Sequence, residues 1–308
     1  MEQTQLSIII PAYNAESTLA QCIDSIIEQD YADWIIYLID DGSTDNTASI
    51  ADNYAQKDER IKALHKENGG LSDARNYGIE AMLNESPTPY ITFIDSDDYL
   101  APRSLNILMC TLYIHPKFDI LEYSALLFKG GKKEHQLSLH DKVYENAMRY
   151  WLEGQAYEHS YAWNKIYKTS IFSDGLRFPK GKLFEDSWTL PYIIKKCKNI
   201  ATTSAGKYIY QYNENGITKK ADSDVNQFRQ LLEGQLEALR TLGIDLFKKP
   251  QLSKEEARLY LKLTNQQITL KRLDSNFPTL IPKRRIPLST ANNFREWLKI
   301  IYLNLFTK

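Results

Sequence analysis

The sequence changes character in the middle of Pro89-Tyr-Ile-Thr-Phe-Ile-Asp-Ser-Asp-Asp-Tyr-Leu100. Its first half, Tyr90–Ile94, is rich in β-branched and aromatic residues and predicts a buried strand. The second half places three carboxylates, Asp95, Asp97 and Asp98, within four positions. Such acids repel one another unless a cation or a hydrogen-bond network compensates them. A turn that ends the strand explains the same residues, so the stretch alone leaves both interpretations open.

Strand and helix patterns alternate around this stretch. Continuous apolar runs predict further buried strands, and helical periodicity or a glycine loop marks the segments between them. The predicted strands are Leu6–Ile10, Trp34–Ile39 and Ile61–His65. The first predicted helix covers residues 19–27 and is capped near Asn14 or Ser17, and the second is Thr47–Tyr54. A third helix follows the glycine loop Asn68–Asn76. The alternation predicts an α/β fold with a largely parallel sheet and helices on both faces.

Polar residues follow three of these strands, at Pro11–Asn14, Asp40–Asp45 and Asp95–Asp98. In open parallel sheets, ligands bind outside the carboxyl ends of the strands, so these clusters should meet at one edge. A capping turn explains one acidic strand end but explains poorly two acidic ends and a glycine loop. Neither a dinucleotide Gly-x-Gly-x-x-Gly after the first strand nor a Walker sequence is present. A divalent cation that holds phosphates is the favoured interpretation.

Composition limits the function classes. The chain of 308 residues has a net charge of −1, which gives no global field to attract nucleic acid or anionic lipid. The three cysteines, Cys22, Cys110 and Cys197, have no zinc or disulfide spacing. Cys22 and Cys110 fall on predicted apolar helix faces, so we expect buried free thiols in a reducing compartment. Without a signal-peptide or transmembrane pattern, a cytoplasmic protein is expected.

Four segments together resemble the motif series of the family-2 nucleotide-sugar glycosyltransferases, which have the GT-A fold: Ser7–Asn14, Ile39–Asp45, Asn68–Asn76 and Ile94–Asp98. They occur in the family's order and spacing. A looser resemblance continues through Trp163–Lys168, Leu176–Pro179, Leu183–Ser187 and Tyr208–Thr218. The resemblance implies a Rossmann-like, mostly parallel sheet and a nucleotide-sugar donor.

The resemblance also implies which residues bind that donor: Pro11, Tyr13, Asn14, Asp40, Asp41, Gly70, Arg75, Asp95, Ser96 and Asp98. Tyr13 would lie against the nucleobase, and Asp41, beside Asp40, would accept from a ring N–H such as that of uracil. Arg75 would approach the nucleotide near the glycine loop. Asp97, with Asp95, would hold a divalent metal, manganese or magnesium, on the diphosphate. For Tyr13 and Arg75 the structural alternatives are a packed loop aromatic and a surface ion pair.

A catalytic base is expected as well, because the acceptor hydroxyl must lose a proton when it attacks the sugar. In the family that base is the Asp of a Glu-Asp pair, which is Glu185-Asp186 here. Asp186 would be the base and Glu185 a support or acceptor contact. The alternative is an acidic cap for a predicted helix, Trp188–Lys195. Trp163 and Trp188 flank the pair and are either an acceptor sugar platform or core residues.

Two departures from the family's patterns bear on function. Processive polysaccharide synthases carry a Gln-x-x-Arg-Trp sequence and transmembrane helices, and neither occurs here. A non-processive enzyme that adds a single sugar is therefore expected. Relatives often carry an Arg or His where this chain has Gln211 and Asn213, which leaves open any cationic contact with the diphosphate there. Lys219 or Lys220 could replace it, although a solvated lysine pair is the favoured interpretation of these two residues.

The character of the sequence changes near Ala221, so we expect a catalytic domain over residues 1–220 and a helical region over 221–308. Three amphipathic helices are predicted in that region: Phe228–Leu242, Lys254–Leu270 and Phe294–Phe306. The last has an apolar stripe and follows the basic segment Lys283–Arg285. It either docks on the catalytic domain or forms an interfacial membrane anchor.

The sequence thus predicts a metal-dependent inverting glycosyltransferase. Its donor would be a nucleotide sugar, and a uridine diphosphate sugar is the favoured one. Its acceptor would be a saccharide or lipid-linked saccharide of a surface polysaccharide. Two alternatives remain: a metal-dependent nucleotidyltransferase of related topology, and a catalytically silent nucleotide-sugar binding protein. The nucleotidyltransferase would typically carry a glycine-rich Lys/Arg signature after the first strand, where this chain has Pro-Ala-Tyr-Asn.

Overall fold

The computed structural model describes residues 5–213, 224–291 and 294–305. Its strands are β1 Leu6–Ala12, β2 Trp34–Asp40, β3 Ile61–His65, β4 Tyr90–Phe93, β5 Tyr99–Leu100, β6 Ile120–Lys129, β7 His135–Leu137, β8 Lys142–Tyr144, β9 Lys165–Lys168 and β10 Ile200–Gln211. They form one sheet in the order β3-β2-β1-β4-β9-β6-β10-β5, with β7 beside β6 and β8 beside β10.

The helices cover both faces of this sheet. Their bounds are α1 Leu19–Ile27, α2 Thr47–Lys57, α3 Leu71–Glu85, α4 Ser104–Ile114, α5 Ala147–Leu152, α6 Glu185–Lys195, α7 Val225–Leu242, α8 Lys254–Leu273 and α9 Phe294–Leu305. Helices α1, α2 and α4 contribute to one buried apolar cluster, and α3 and α5 to α9 contribute to the other. The predicted α/β architecture is confirmed.

Burial on both faces explains why the first strands are continuously apolar. Successive side chains of a strand point to opposite faces of the sheet. Accordingly, Ile8 and Ile10 of β1 pack with Leu38 of β2 in one cluster, whereas Ile9 packs with Ile39 in the other. A strand buried in this way has no polar face, so its pattern is an uninterrupted apolar run.

The sheet is parallel in one half only. Strands β3, β2, β1 and β4 pair in parallel, as predicted. Beyond β4 the pairing is mixed: β9 runs antiparallel to both β4 and β6, β6 pairs in parallel with β10, and β5 closes the order antiparallel to β10. The expectation of parallel pairing therefore holds throughout β1 to β4, whereas the pairing of the remaining strands is mixed.

The strand ends converge as expected. Ala12 of β1 is in register with Asp40 of β2, and the N–H of Asp41 donates to the carbonyl of Ala12 at 2.8 Å. On the other side of β1, the N–H of Ile94 donates to the carbonyl of Ile9 at 3.1 Å. The polar loops after β1, β2 and β4 thus start at the same edge of the sheet.

Helix α3 packs unusually close to β1. A Cβ at Gly78 would lie 2.7 Å from Cγ2 of Ile9, a distance that real Cβ contacts do not reach. Only glycine permits this approach without a shift of the helix or the strand. The close packing brings Arg75, one turn before Gly78, next to the carboxyl end of β4, where it contacts Asp95.

Several local predictions were wrong. Helix α1 begins after Thr18, and neither Asn14 nor Ser17 caps it. Helix α6 begins at Glu185 rather than at Trp188. Cys110 is exposed on α4, whereas Cys22 is buried as expected.

The C-terminal helices share a core with the sheet. Leu232 of α7, Leu259 of α8 and Ile300 of α9 belong to the same buried cluster as Ile9 and Ile39. Docking of the last helix is thus observed. The predicted boundary at residue 220, and with it Lys219 and Lys220, lies outside the described residues, so the two-domain division stays a prediction. Within the described part, no helix has the length and apolarity needed to cross a membrane.

Candidate active site

Two acids follow β2, and the glycine loop closes over one of them. Oδ2 of Asp41 accepts a hydrogen bond from the N–H of Gly70 at 2.7 Å, and Oδ1 accepts one from the N–H of Gly69 at 3.0 Å. Gly70 has a φ of 84°, which favours glycine. Asp40 is also buried and accepts from the N–H of Ser43 at 3.1 Å. Both acids shape the loops of this edge, and the predicted contact of Asp41 with a base stays a prediction.

The loop after β1 lies beside these acids. Pro11 is buried at the end of β1, whereas the Tyr13 side chain is 52% exposed. Asn14 has a φ of 48°, and its Oδ1 accepts a hydrogen bond from the N–H of Thr44 at 2.8 Å. Asn14 therefore joins the loops that follow β1 and β2. The exposed ring of Tyr13 is open to a planar ligand such as a nucleobase.

Asp98 fastens the acidic loop to β10. It is 1% exposed; its Oδ2 accepts from the hydroxyl of Tyr208 at 2.9 Å, and its Oδ1 accepts from the N–H of Gln211 at 2.8 Å. Burial, together with the charges of Asp97 and Asp95, raises the pKa of Asp98 well above its usual range. Asp98 thus holds the loop in place and does not face solvent.

Asp97 is placed differently from its neighbours. Its Oδ2 accepts a hydrogen bond from Nδ2 of Asn213 at 3.0 Å, and its main-chain carbonyl accepts one from Nε2 of Gln211 at 3.0 Å. Burial and the charge of Asp95 raise the pKa of Asp97 despite the Asn213 bond. Ser96, between the two acids, is half-buried. Two neutral amides, of Gln211 and Asn213, thus border Asp97.

The centre of the site is the guanidinium of Arg75, which is 1% exposed. Its Nη2 donates to Asp95 at 2.7 Å, and its Nη1 donates to Asp186 at 3.0 Å and also to Glu185. Three carboxylates from two distant segments therefore meet around one buried cation. Arg75 lies neither at the surface nor open to a ligand in this conformation. Its predicted approach to the nucleotide would require these acids to move.

The backbone presents the acid pair in an unusual way. Phe184 has a φ of 55°, a region that is rare for bulky residues and costs about 1–3 kcal/mol. Helix α6 begins at the next residue, so Glu185 and Asp186 occupy its first turn, and no side chain caps it. Acids are favoured at that position by the helix dipole. The two acids therefore lie where the helix dipole favours negative charge, without a capping hydrogen bond, and they contact Arg75 as well.

Burial is the largest influence on the pKa values of Glu185 and Asp186. It raises the pKa of Glu185, and the negative charge of Asp186 adds to the effect. Burial also raises the pKa of Asp186, which the charge of Arg75 opposes. Glu185 and Asp186 share one guanidinium with Asp95 in a desolvated place, so both members of the pair bind protons more readily than exposed acids do. A carboxylate of raised pKa is suited to accept a proton near neutral pH.

A buried network that sequence reasoning missed lies beside Asp186. Oε1 of Glu122 lies 2.7 Å from Nδ1 of His159 and 2.7 Å from Nζ of Lys165, and all three side chains are buried. Nζ of Lys165 also donates to the main-chain carbonyl of His159 at 3.0 Å. This network fixes the segment that carries Ala162, whose N–H donates to Asp186. It thereby helps to orient the predicted base.

The contacts within this network explain the pKa shifts of Glu122 and Lys165. Burial alone would raise the pKa of Glu122, but the charges of His159 and Lys165 outweigh it and lower that pKa to about 2. At Lys165 burial outweighs the charges of Glu122 and Asp186, so the pKa of Lys165 is lowered. Glu122 thus contacts both His159 and Lys165 in this buried network. Lys165 lies between Asn164 and Ile166 in a stretch of mixed polarity, so nothing in the sequence marked this lysine as buried, a place where lysines are rare.

The two tryptophans are packed. Trp163 is 3% exposed, and its ring is stacked between Tyr161 and Tyr208 at centroid distances of 4.5 and 4.3 Å. Both faces of the ring are therefore covered in this conformation. Trp188 is half-buried, and a Cβ at Gly234 of α7 would lie 3.1 Å from its Nε1. The core interpretation describes Trp163, and Trp188 connects α6 with α7.

The residues present fit a divalent cation only in part. Carboxylate oxygens, as in Asp95 and Asp97, are the donors that Mg²⁺ and Mn²⁺ prefer. No described lysine, arginine or histidine pairs with Asp97, whereas Lys66 lies 2.5 Å from Asp41. The described residues contain no cluster of three or more His, Cys, Asp or Glu arranged around an ion. A cation at Asp97 would therefore need further oxygens from its ligand, as metals on substrate phosphates commonly do.

The structure combines an open α/β sheet, acidic loops at one edge of it, and a buried arginine that joins Asp95 to Glu185 and Asp186. The sequence profile described as Glycosyl transferase family 2 matches residues 7–173, which is more than half of the chain. The chain belongs to glycosyl transferase family 2.

Relatives and solved structures agree with this assignment. The chain is 31% identical to Glycosyltransferase GlyA of Streptococcus pneumoniae serotype 4 over 232 residues, which cover 70% of this chain and 32% of GlyA. It therefore spans about a third of that relative's length. The structure of Staphylococcus aureus TarS 1–349 in complex with UDP-GlcNAc superimposes with a TM-score of 0.66 at 19% identity, covering 97% of this chain and 79% of TarS 1–349.

A second solved structure is the mannosyltransferase PcManGT from Pyrobaculum calidifontis in complex with GDP-Man and Mn2+. It superimposes with a TM-score of 0.60 at 15% identity and covers all of this chain and 89% of PcManGT. At these identities the likeness concerns the fold. The predicted GT-A fold is confirmed.

Proposed function

We propose that this chain is an inverting glycosyltransferase that moves a single sugar from a uridine diphosphate donor to a hydroxyl group of a saccharide or lipid-linked saccharide. One observation carries the proposal: the buried guanidinium of Arg75 joins Asp95 on the donor side to Asp186. Membership of glycosyl transferase family 2 supports the reaction class. The UDP-GlcNAc complex of TarS supports the class of donor. The product in this proposal belongs to a surface polysaccharide.

The donor would lie across the loops after β1, β2 and β4. The exposed ring of Tyr13 would stack on the base, while Asp41 would accept from its N–H edge after exchanging a hydrogen bond with the glycine loop. Asp97 and Asp95 would hold a manganese or magnesium ion. That ion, when bound, neutralises the charge of the diphosphate leaving group. The Mn2+ in the PcManGT complex supports this assignment.

Asp186 would act as the base. Inversion requires that the acceptor hydroxyl attack the anomeric carbon from the face opposite the diphosphate, while its proton passes to a carboxylate on that face. Burial raises the pKa of Asp186, and the charge of Arg75 opposes that shift. The N–H of Ala162 holds the carboxylate in position. Glu185, on the same guanidinium, would support Asp186 or contact the acceptor.

The test is a panel of nucleotide sugars. Purified protein should hydrolyse or transfer at least one uridine diphosphate sugar with Mn2+ present and lose that activity in EDTA, with recovery on addition of Mn2+. Nuclear magnetic resonance of the product should show the anomeric configuration opposite to that of the donor. Donor binding without any turnover would instead indicate a silent binding protein. Release of pyrophosphate from a nucleoside triphosphate and a sugar phosphate would indicate a nucleotidyltransferase.

We also propose that α9 contacts a membrane surface. Trp297, Leu298 and Tyr302 are 38%, 48% and 61% exposed, although Ile300 of the same helix is buried in the core. The basic residues Lys283 and Arg285 precede this helix. Aromatic side chains beside cations suit an anionic interface. The substitution Leu298→Glu should reduce co-sedimentation with anionic vesicles; binding equal to that of the original chain would contradict the proposal.

A further inference from the structure

Lys66 follows β3 directly and contacts Asp41, the acid proposed to contact the nucleobase. Its main-chain N–H donates to the carbonyl of Asp40 at 3.0 Å, which continues the pairing of β2 with β3. Nζ of Lys66 lies 2.5 Å from Oδ1 of Asp41 and 2.8 Å from Oδ2 of Asp73. It also donates to the main-chain carbonyl of Glu67. The side chain is 12% exposed, so Lys66 is fixed beside the proposed base contact.

The ammonium group of Lys66 is charged, and all of its hydrogens are used. Burial opposes the charge, but hydrogen bonds to Asp41 and Asp73 outweigh burial and raise the pKa of Lys66. An ammonium group has three N–H bonds, and the contacts with Asp41, Asp73 and Glu67 engage all three. Lys66 therefore acts on a bound base only through its partners, of which Asp41 is the one proposed to contact the base.

Lys66 limits what Asp41 can accept. Each carboxylate oxygen has two lone pairs that accept hydrogen bonds. Oδ1 of Asp41 accepts from Nζ of Lys66 and from the N–H of Gly69, so both of its lone pairs are used. Among the described residues, Oδ2 accepts only from the N–H of Gly70. A base would therefore approach Oδ2, the oxygen that holds a single loop bond, and Oδ1 would stay filled.

The bases differ in how many N–H groups they offer to such an acid. The edge of uracil offers one N–H, with a carbonyl on each side. The edge of guanine offers two adjacent donors, the ring N–H and the amino group, which together match the two oxygens of a carboxylate. With one oxygen filled, one donor of guanine would have no partner. An unpaired donor in a buried site is costly, and sites of this kind discriminate strongly between similar ligands.

We propose that Lys66 makes Asp41 selective for uracil over guanine by keeping Oδ1 filled, so that the acid accepts one N–H and not two. Lys66 is a positioning residue, because it touches Asp41 and not the base. The inference rests on the proposed function, in which Asp41 contacts the base of a uridine diphosphate donor. It adds the residue that decides between the two bases.

The test compares the affinities of UDP, GDP and inosine diphosphate for the full chain, by titration calorimetry with Mn2+. The three ligands share the ribose and the diphosphate, so the ratios of their Kd values report on the base. Inosine diphosphate has the purine of GDP without its amino group and therefore offers one N–H. The original chain should bind inosine diphosphate at least threefold, and UDP at least tenfold, more tightly than GDP.

The variant Lys66→Met opens Oδ1 of Asp41 and keeps the length of the side chain. Both ratios should fall at least threefold in this variant, whereas a merely structural role of Lys66 would weaken all three ligands alike. Lys180→Met is the matched control. Lys180 is 69% exposed and pairs with the other oxygen of Asp73, so its loss removes a neighbouring lysine without touching Asp41. Both ratios should stay within twofold of the original values in Lys180→Met.

Two results would overturn the inference. One is GDP that binds the original chain as tightly as inosine diphosphate does, a measurement that needs no variant to fold. The other is a pair of ratios unchanged in Lys66→Met, which would indicate that the size of the purine excludes guanine. Both results are compatible with UDP binding and donor hydrolysis. A chain that binds none of the three nucleotides and hydrolyses no donor would instead contradict the proposed function.

Discussion

Arg75 forms ion pairs with Asp95, Glu185 and Asp186, and it is the one cation among the described residues that pairs with all three. Replacing Arg75 by methionine removes this positive charge. Methionine keeps a similar length and apolar volume, so the substitution changes mainly the charge. Removing one partner of a buried ion pair costs about 3–5 kcal/mol because it leaves the other charge uncompensated. With three carboxylates on this guanidinium, we expect a loss of unfolding free energy at the upper end of that range at pH 8.

The loss should depend on pH in a defined direction. Without Arg75, the folded-state pKa values of Glu185 and Asp186 lie further above their unfolded values, so the folded variant binds more protons than the unfolded chain. Its stability therefore falls as pH rises and recovers as pH falls. Each unit of pKa by which one carboxyl is raised corresponds to about 1.4 kcal/mol. The difference between the original chain and Arg75→Met should thus narrow between pH 8 and pH 5.

The measurement is urea-induced unfolding, followed by circular dichroism at several pH values. Arg149→Met is the control, since Arg149 forms an exposed ion pair with Glu153 and should hardly change the midpoint. A destabilisation by Arg75→Met below 1 kcal/mol at pH 8, or a difference that does not narrow at lower pH, would refute the view of Arg75 as the buried centre of the acids.

Three further predictions concern packing, the buried network and the base pocket. Gly78→Ala should destabilise the protein by about 1–3 kcal/mol, because its Cβ would meet Ile9; a stabilised variant in thermal unfolding would contradict the close approach of α3. Ionised Glu122 stabilises the folded chain fully above its unfolded pKa of about 4.3, and this stabilisation is lost as pH falls toward its folded pKa of about 2. Glu122→Gln should therefore lower the free energy of unfolding in urea less at pH 3 than at neutral pH. An equal loss at both pH values would contradict the lowered pKa. Tyr13→Ala should raise the Kd for UDP about tenfold by loss of stacking, with unfolding unchanged; unaltered UDP binding by calorimetry would place the base elsewhere.

The first half of the fold could be predicted because its physics is local. A strand buried on both faces must be apolar throughout, so the apolar runs beginning at Leu6, Trp34, Ile61 and Tyr90 marked the strands to within about two residues. The mixed pairing beyond β4 could not be read in the same way. Antiparallel and parallel strands carry similar side chains when both are buried, so the direction of β9 depends on the long connection before it.

The residues of the candidate site likewise fall into those that local sequence patterns predicted and those that depend on tertiary packing. The acids at the strand ends were visible because each follows its own apolar run. The environment of Arg75 was not, since its partners Glu185 and Asp186 lie 110 and 111 residues away and meet it only through the packing of α3 and α6. The sequence also left open whether Trp163 is a sugar platform or a core residue, because only tertiary contacts cover both faces of its ring.

In the proposed mechanism, Asp97 belongs to the donor site and Asp186 accepts the proton. The direct measurement compares Asp97→Asn and Asp186→Asn for donor affinity, by calorimetry with Mn2+, and for turnover. We expect Asp97→Asn to weaken donor binding and to abolish metal-dependent turnover, and Asp186→Asn to abolish turnover while the donor Kd stays within about twofold. Retained turnover in Asp186→Asn, or full donor affinity in Asp97→Asn, would contradict it.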